Sequence, residues 1–174
     1  MEDQQKPTNK IALNYGIYLG VISILIGVIR YALGMQYDHD MVFGILSFII
    51  MIVLVVLGIK KYKEANGGFL TLGQGLKTGI AISLIGAVIG ILYAIIFLTF
   101  IEPEFMATKF EMARQKMMEN PNMTEEVIDQ SIEMQKKFSS PGMIAAFGLL
   151  WNLFLGFVIS LIASAIMQKK ENEY

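Results

Sequence analysis

The 174-residue chain has no cysteine, one histidine, one tryptophan and four prolines. Without cysteine there is no disulfide, no thiolate nucleophile and no thiolate-bound metal, and the redox compartment leaves no trace. A lone histidine leaves no Ser-His-Asp arrangement that the sequence can pair, and His39, between Asp38 and Asp40, reads as a solvated turn rather than a metal centre. Neither a zinc-binding helix motif, a phosphate-cradling glycine loop nor a dinucleotide fingerprint occurs. A net charge of −1 excludes the concentrated basic face that nucleic acid requires. No cofactor, metal or catalytic residue is therefore expected.

Charge is scarcest in four long apolar stretches, residues 11–33, 41–59, 76–101 and 143–167, which contain only Arg30 and Lys77. A helix crosses the hydrocarbon core of a bilayer with about 20 apolar residues, and each stretch suffices. With 55% hydrophobic residues and a mean hydropathy of +0.55, a large water-soluble core is excluded. The expected fold is all-α: one membrane domain of four transmembrane helices, with a long extracytoplasmic amphipathic helical hairpin between the third and fourth. Lys6 and Lys10 precede the first stretch as in a signal peptide. That stretch is longer than a signal core and lacks a small-residue cleavage pattern, so an uncleaved helix is expected.

The positive-inside bias sets the orientation. Lys6, Lys10, Lys60, Lys61, Lys63, Lys77, Lys169 and Lys170 fall on the side of the two termini. The other side holds Arg30, the acidic turn and the loop 102–142, with five basic residues against eight acidic ones. Both termini should be cytoplasmic.

All four prolines, Pro7, Pro103, Pro121 and Pro141, lie outside the stretches and mark boundaries, because proline lacks the amide a helix interior needs. They divide the loop into helical pieces at about 104–119 and 125–138. Thr124 is placed to N-cap the second, whose first turn holds Glu125 and Glu126 and whose last holds Lys136 and Lys137. Met106, Phe110, Ala113 and Met117 form an apolar stripe on the first piece, and Val127, Met134 and Phe138 one on the second, widened by Ile128 and Ile132. Met106, Phe110, Met117, Val127, Met134 and Phe138 are the candidate partner surface. Six of the twelve methionines fall in this loop, as an adaptable apolar surface more readily than as a copper site.

Thr71 and Gln74 have capping-box spacing, so the third helix should begin at Leu72 and span about 72–101. At 1.5 Å per residue it would be about 45 Å long and must tilt or protrude.

In hydrocarbon, helices associate through small residues that let backbones approach. Gly16, Gly20, Ser23 and Gly27 share one face of the first helix, and Gly79, Ser83, Gly86 and Gly90 repeat that spacing in the third. The offset of 63 residues is either a parallel repeat of helix pairs or chance. The fourth helix adds Gly156, Ser160 and Ser164, and the second has the poorest set. Helices one, three and four should form the tight core, with helix two more lipid-exposed.

Arg30, Asn152 and Tyr93 are the candidate polar site. Arg30 lies near the outer end of its helix, where it can snorkel to headgroups or meet Asp38, Asp40 or Glu102. Asn14 and Asn152 can bond across helices, and Asn152 next to Trp151 could instead line a small-molecule pocket.

The motifs Gly68-Phe69 and Gly73-Gln74-Gly75-Leu76-Lys77-Thr78-Gly79, with Tyr93, Ile101-Glu102-Pro103-Glu104-Phe105 and the four-span plan, resemble a bacterial membrane family known as domain of unknown function 4199. The resemblance covers nearly the full chain and implies a bacterial cytoplasmic (inner) membrane location with the long loop in the periplasm. It carries no assigned activity. The expectation is a multi-pass, non-enzymatic assembly or interaction protein whose partners are the lipid bilayer, other membrane proteins or itself. The alternative is a small carrier or channel for a neutral or apolar solute. An intramembrane enzyme would need a nucleophile–base pair that the sequence does not offer.

Overall fold

The computed structural model describes residues 5–38 and 41–169, with side chains from residue 9 onward. His39, Asp40 and Lys170 lie outside the described residues, as do the side chains of Lys6 and Pro7. Among the described residues there are six α-helices and no strand: α1 (Gln5–Ala32), α2 (Met41–Ala65), α3 (Leu72–Ile96), α4 (Phe105–Met118), α5 (Glu125–Phe138) and α6 (Pro141–Met167). A π-helical turn, Phe97–Ile101, continues α3. Four segments are long and apolar enough to cross a membrane: Asn9–Ala32, Met41–Ala65, Leu72–Ile101 and Pro141–Met167.

Helix boundaries follow the local chemistry. The amide of Thr71 donates to Gln74 Oε1 at 2.9 Å and the amide of Gln74 to Thr71 Oγ1 at 3.3 Å, the reciprocal capping box that starts α3 at Leu72. α1 ends in a Schellman motif. Gly34 adopts φ 69°, its amide bonds Tyr31 O at 3.0 Å, and the Met35 amide bonds Arg30 O at 2.9 Å. α2 runs to Ala65 rather than 59, because lysines are good helix formers beyond the apolar run, and it ends with Gly67 at φ 67° and the Gly68 amide on Lys63 O. Pro141 opens α6 two residues before the expected start, at a first-turn position where the missing amide costs nothing. Thr124 sits at the N-cap of α5 in extended conformation, but its hydroxyl makes no capping bond.

The chain divides into two compact units, Met1–Gly90 with Leu149–Tyr174, and Ile91–Gly148. The core of the first is Ala12 and Leu19 from α1, Met51, Val55, Ile59 and Tyr62 from α2, Ile82 from α3, and Ile159 and Ala163 from α6. Val55, Ile59 and Ile82 are wholly buried. Helix α2 is therefore a full member of the core, against the expectation that helices one, three and four alone form it and that the second is more lipid-exposed. Its Ile59 lies 3.1 Å from where a Cβ on Gly79 would stand and 3.4 Å from one on Gly75. Bulk on α2 fills the space that α3's glycines open, and α2's own buried Gly58 makes room in return for Ile82 of α3.

In the second unit, α4 and α5 pack against each other. Ile128 and Ile132 of α5 are buried. Arg114 of α4 pairs with Asp129 of α5 at 2.8 Å, and Lys136 Nζ lies 6.0 Å from the ring centre of Phe110.

Candidate functional site

Glycine and serine organise the contact between α3 and α6. The site of a Cβ on Gly75 is taken by the side chain of Ser164, on Gly79 by Ser160, and on Gly156 by Ser83. Each step of four residues forward on α3 is a step of four back on α6, which defines an antiparallel pair with one register. Two helices supply the notches and both supply the knobs. Ser83, Ser160 and Ser164 are fully buried. The hydroxyl of Ser83 donates to Gly79 O at 2.9 Å and that of Ser160 to Gly156 O, each bond staying on its own helix. Thr78, also fully buried, donates to Gln74 O at 2.8 Å. Ser164 Oγ is buried with no hydrogen-bond partner among the described residues.

On its other flank α3 meets α1 in parallel. Cβ atoms on Gly16 and Gly20 would fall 2.6 Å from Ile85 Cβ and Ile89 Cβ, and one on Gly86 would fall 2.7 Å from Leu19 Cδ2. Gly90 is different: a Cβ there would meet nothing within 4 Å. One turn on from Leu19, α1 offers only Ser23, whose hydroxyl folds back onto Leu19 O at 2.8 Å. Gly90 thus has no knob to receive and leaves the packing set. The two sets that superpose at 63 residues also meet unlike neighbours, isoleucines for Gly16 and Gly20 but serine for Gly79. Gly75, absent from the expected packing face, belongs to it, and its position four residues before Gly79 was the available signal.

A backbone bridge locks the end of the bundle at which α3 starts and α6 ends. The amides of Leu70 and Lys169 each donate to the other's carbonyl at 2.9 Å. Leu70 is wholly buried, and Lys169 Nζ lies 5.7 Å from the ring centre of Phe69. Lys63 Nζ donates to Met167 O at 2.8 Å, taking one of the carbonyls that the end of α6 leaves open. The glycine-rich segment from Gly68 to Gly79 is thus a docking station for α6: bridge, capping box, then two glycine notches.

The candidate polar residues occupy separate surroundings. Arg30 Nη2 donates to Met35 O at 3.3 Å and to Asp38 O at 3.0 Å, with its guanidinium 5.6 Å from the Phe43 ring centre. It ties together the turn after α1 through main-chain carbonyls. Asn152 is half-buried, whereas Trp151 beside it is 62% exposed and stacks on Phe154 at 5.9 Å, placing the indole on the outer face of α6. Tyr93 heads an aromatic series, 6.1 Å from Phe97, which meets Phe105 edge-on at 5.4 Å. Among the described residues, no three His, Asp or Glu side chains stand together as a metal site.

The candidate partner surface divides. Phe110 lines the cleft between α4 and α5, and Met106 and Met117 are half-buried. Val127, Met134 and Phe138 are exposed, at 46%, 62% and 53%.

Residues 14–169 match the family described as "Protein of unknown function (DUF4199)". The chain belongs to this family. The matched region holds every glycine–serine contact described above and ends at Lys169, the residue bridged to Leu70. No curated protein matches the chain. No solved structure matches it either. With its four apolar helices, this DUF4199 member is a multi-pass integral membrane protein.

Proposed function

We propose that this DUF4199 protein is a non-enzymatic assembly or interaction protein of the bacterial cytoplasmic membrane. In this reading α4 and α5 form an extracytoplasmic helical hairpin that recognises other membrane proteins or a second copy of the chain. One observation carries it. α5 turns Ile128 and Ile132 inward, yet it keeps a second apolar edge, Val127, Met134 and Phe138, exposed. Folding of the α4–α5 pair does not account for that edge, and exposed apolar residues grouped on one face are the usual mark of an interaction surface. The lysine bias supports cytoplasmic termini.

Less supports a carrier of neutral solutes. The buried hydroxyls of Thr78, Ser83 and Ser160 bond within their own helices, and those of Ser83 and Ser160 fill glycine notches rather than line a passage. Crosslinking in native membranes followed by purification tests the proposal. Met134→Asp with Phe138→Asp should abolish recovery of crosslinked partners. Unchanged recovery would count against the interaction reading, and liposome flux dependent on Asn152 would favour the carrier.

A further inference from the structure

A cleft of about 440 Å³ runs between α2 and α6, with Ile52 and Val56 on one wall and Ile159, Ile162, Ile166 and Met167 on the other. Its lining is apolar throughout. In a bilayer such a cleft fills with hydrocarbon, and the question is what selects the molecule that supplies it.

Two features answer. The first is length: from Ile52 to Lys63, α2 rises about 16 Å at 1.5 Å per residue. That is close to half of the roughly 30 Å hydrocarbon core, the depth of one leaflet. The second is charge at one end only. Lys60 and Lys63 follow Val56 by four and seven residues, so they continue the α2 stripe that lines the cleft. Lys63 Nζ is held 2.8 Å from the carbonyl of Met167, itself a lining residue, which fixes an ammonium at the cleft's mouth. Lys60 is exposed one turn from Val56. Glu64, the acid of this segment, is 3.2 Å from Lys61 and does not neutralise the other two.

We propose that the cleft is a binding site for an anionic phospholipid, with one acyl chain between α2 and α6 and its phosphate held by Lys60 and Lys63. Ammonium groups act on phosphate as point charges and need no fixed fork geometry. A zwitterionic lipid offers the same chain but brings its own cation to the lysines. The site therefore selects by headgroup and holds by chain.

Native mass spectrometry of the full-length, delipidated protein tests this by titration with phosphatidylglycerol or phosphatidylcholine of identical chains. The wild type should prefer phosphatidylglycerol. Lys60→Gln and Lys63→Gln should each lower that preference about fivefold, and together about 25-fold. Lys63→Arg should keep it, and Lys116→Gln on α4 should leave it unchanged. Ile162→Trp, at an exposed lining position, should lower binding of both lipids. Equal affinity for the two lipids overturns the proposal, as does a preference that survives both glutamine substitutions. Lys60→Gln touches none of the contacts above, so its result stands even where Lys63→Gln fails to fold. Competition by glycerol phosphate with no effect of Ile162→Trp would mean a free phosphate site and overturn the lipid assignment. A lipid-independent dimer broken by Ile162→Trp would assign the cleft to a second copy instead.

Discussion

The side chain of Ser160 on α6 occupies the space that a Cβ on Gly79 of α3 would require. The contact sits between the equivalent pairs Ser164–Gly75 and Ser83–Gly156, so it fixes both the distance and the register of the two helices. Adding a methyl at Gly79 forces separation along the whole stripe, and overpacking of this kind costs about 1–3 kcal/mol. Gly79→Ala should lower the unfolding midpoint in detergent. Ser160→Gly in the same chain should recover part of the loss, because it removes the atoms that the new methyl meets. A double-mutant cycle on thermal or denaturant unfolding measures the coupling, and strict additivity would count against the contact.

Buried serines of the same stripe should respond differently to alanine. Ser83 and Ser160 bond to the carbonyls four residues back, and their loss should cost about 0.5–1.5 kcal/mol each. Ser164 Oγ is buried without a partner among the described residues, and an unmade bond of this kind carries a penalty of about 1–3 kcal/mol. Ser164→Ala keeps a Cβ at the Gly75 notch, which the hydroxyl and the Cβ now share, while removing the unpaired hydroxyl. It should be neutral or stabilising, and a midpoint lowered as much as in Ser160→Ala would refute this.

Much of this architecture was legible from the chain. Charge-free runs set the four spans, and Thr71 with Gln74 marked the start of α3, because both signals are local. Partner choice was not local. The small-residue stripes on α1, α3 and α6 look alike in sequence, and only packing decides that Ser160 faces Gly79 while Leu19 faces Gly86. The burial of α2 was hidden for the same reason: Ile59 is core because the glycines lie on another helix. The π turn after Ile96, closed by the Glu102 amide on Phe97 O at 2.8 Å, has no residue signature in this segment. Arg30 was read correctly as lying near its helix end, and its guanidinium bonds the main-chain carbonyls of Met35 and Asp38, acceptors that no residue pattern announces.

The Leu70–Lys169 bridge should control the loop between α2 and α3. Lys169→Pro removes the amide that donates to Leu70 O at 2.9 Å and leaves the side-chain core intact. Hydrogen exchange should then rise at Leu70 and through the following turn. Leu70→Ala deletes a wholly buried side chain and should cost about 2–5 kcal/mol. Exchange at Leu70 unchanged in Lys169→Pro would mean that the bridge does not hold the loop.

Orientation can be tested cleanly because the chain has no cysteine. Single cysteines at Gln115 in α4 and at Lys61 near the end of α2 both replace exposed side chains. If both termini are cytoplasmic, a membrane-impermeant thiol reagent added to intact cells should label Gln115→Cys and spare Lys61→Cys. Permeabilised cells should label both. The physical basis is the lysine excess next to the spans, which opposes transfer of those segments across the membrane. Labelling of Lys61→Cys alone in intact cells would invert the topology and place the Val127–Met134–Phe138 edge in the cytosol. The interaction reading would then need a cytosolic partner, whereas the lipid cleft, defined by its own lysines, would move to the opposite leaflet unchanged.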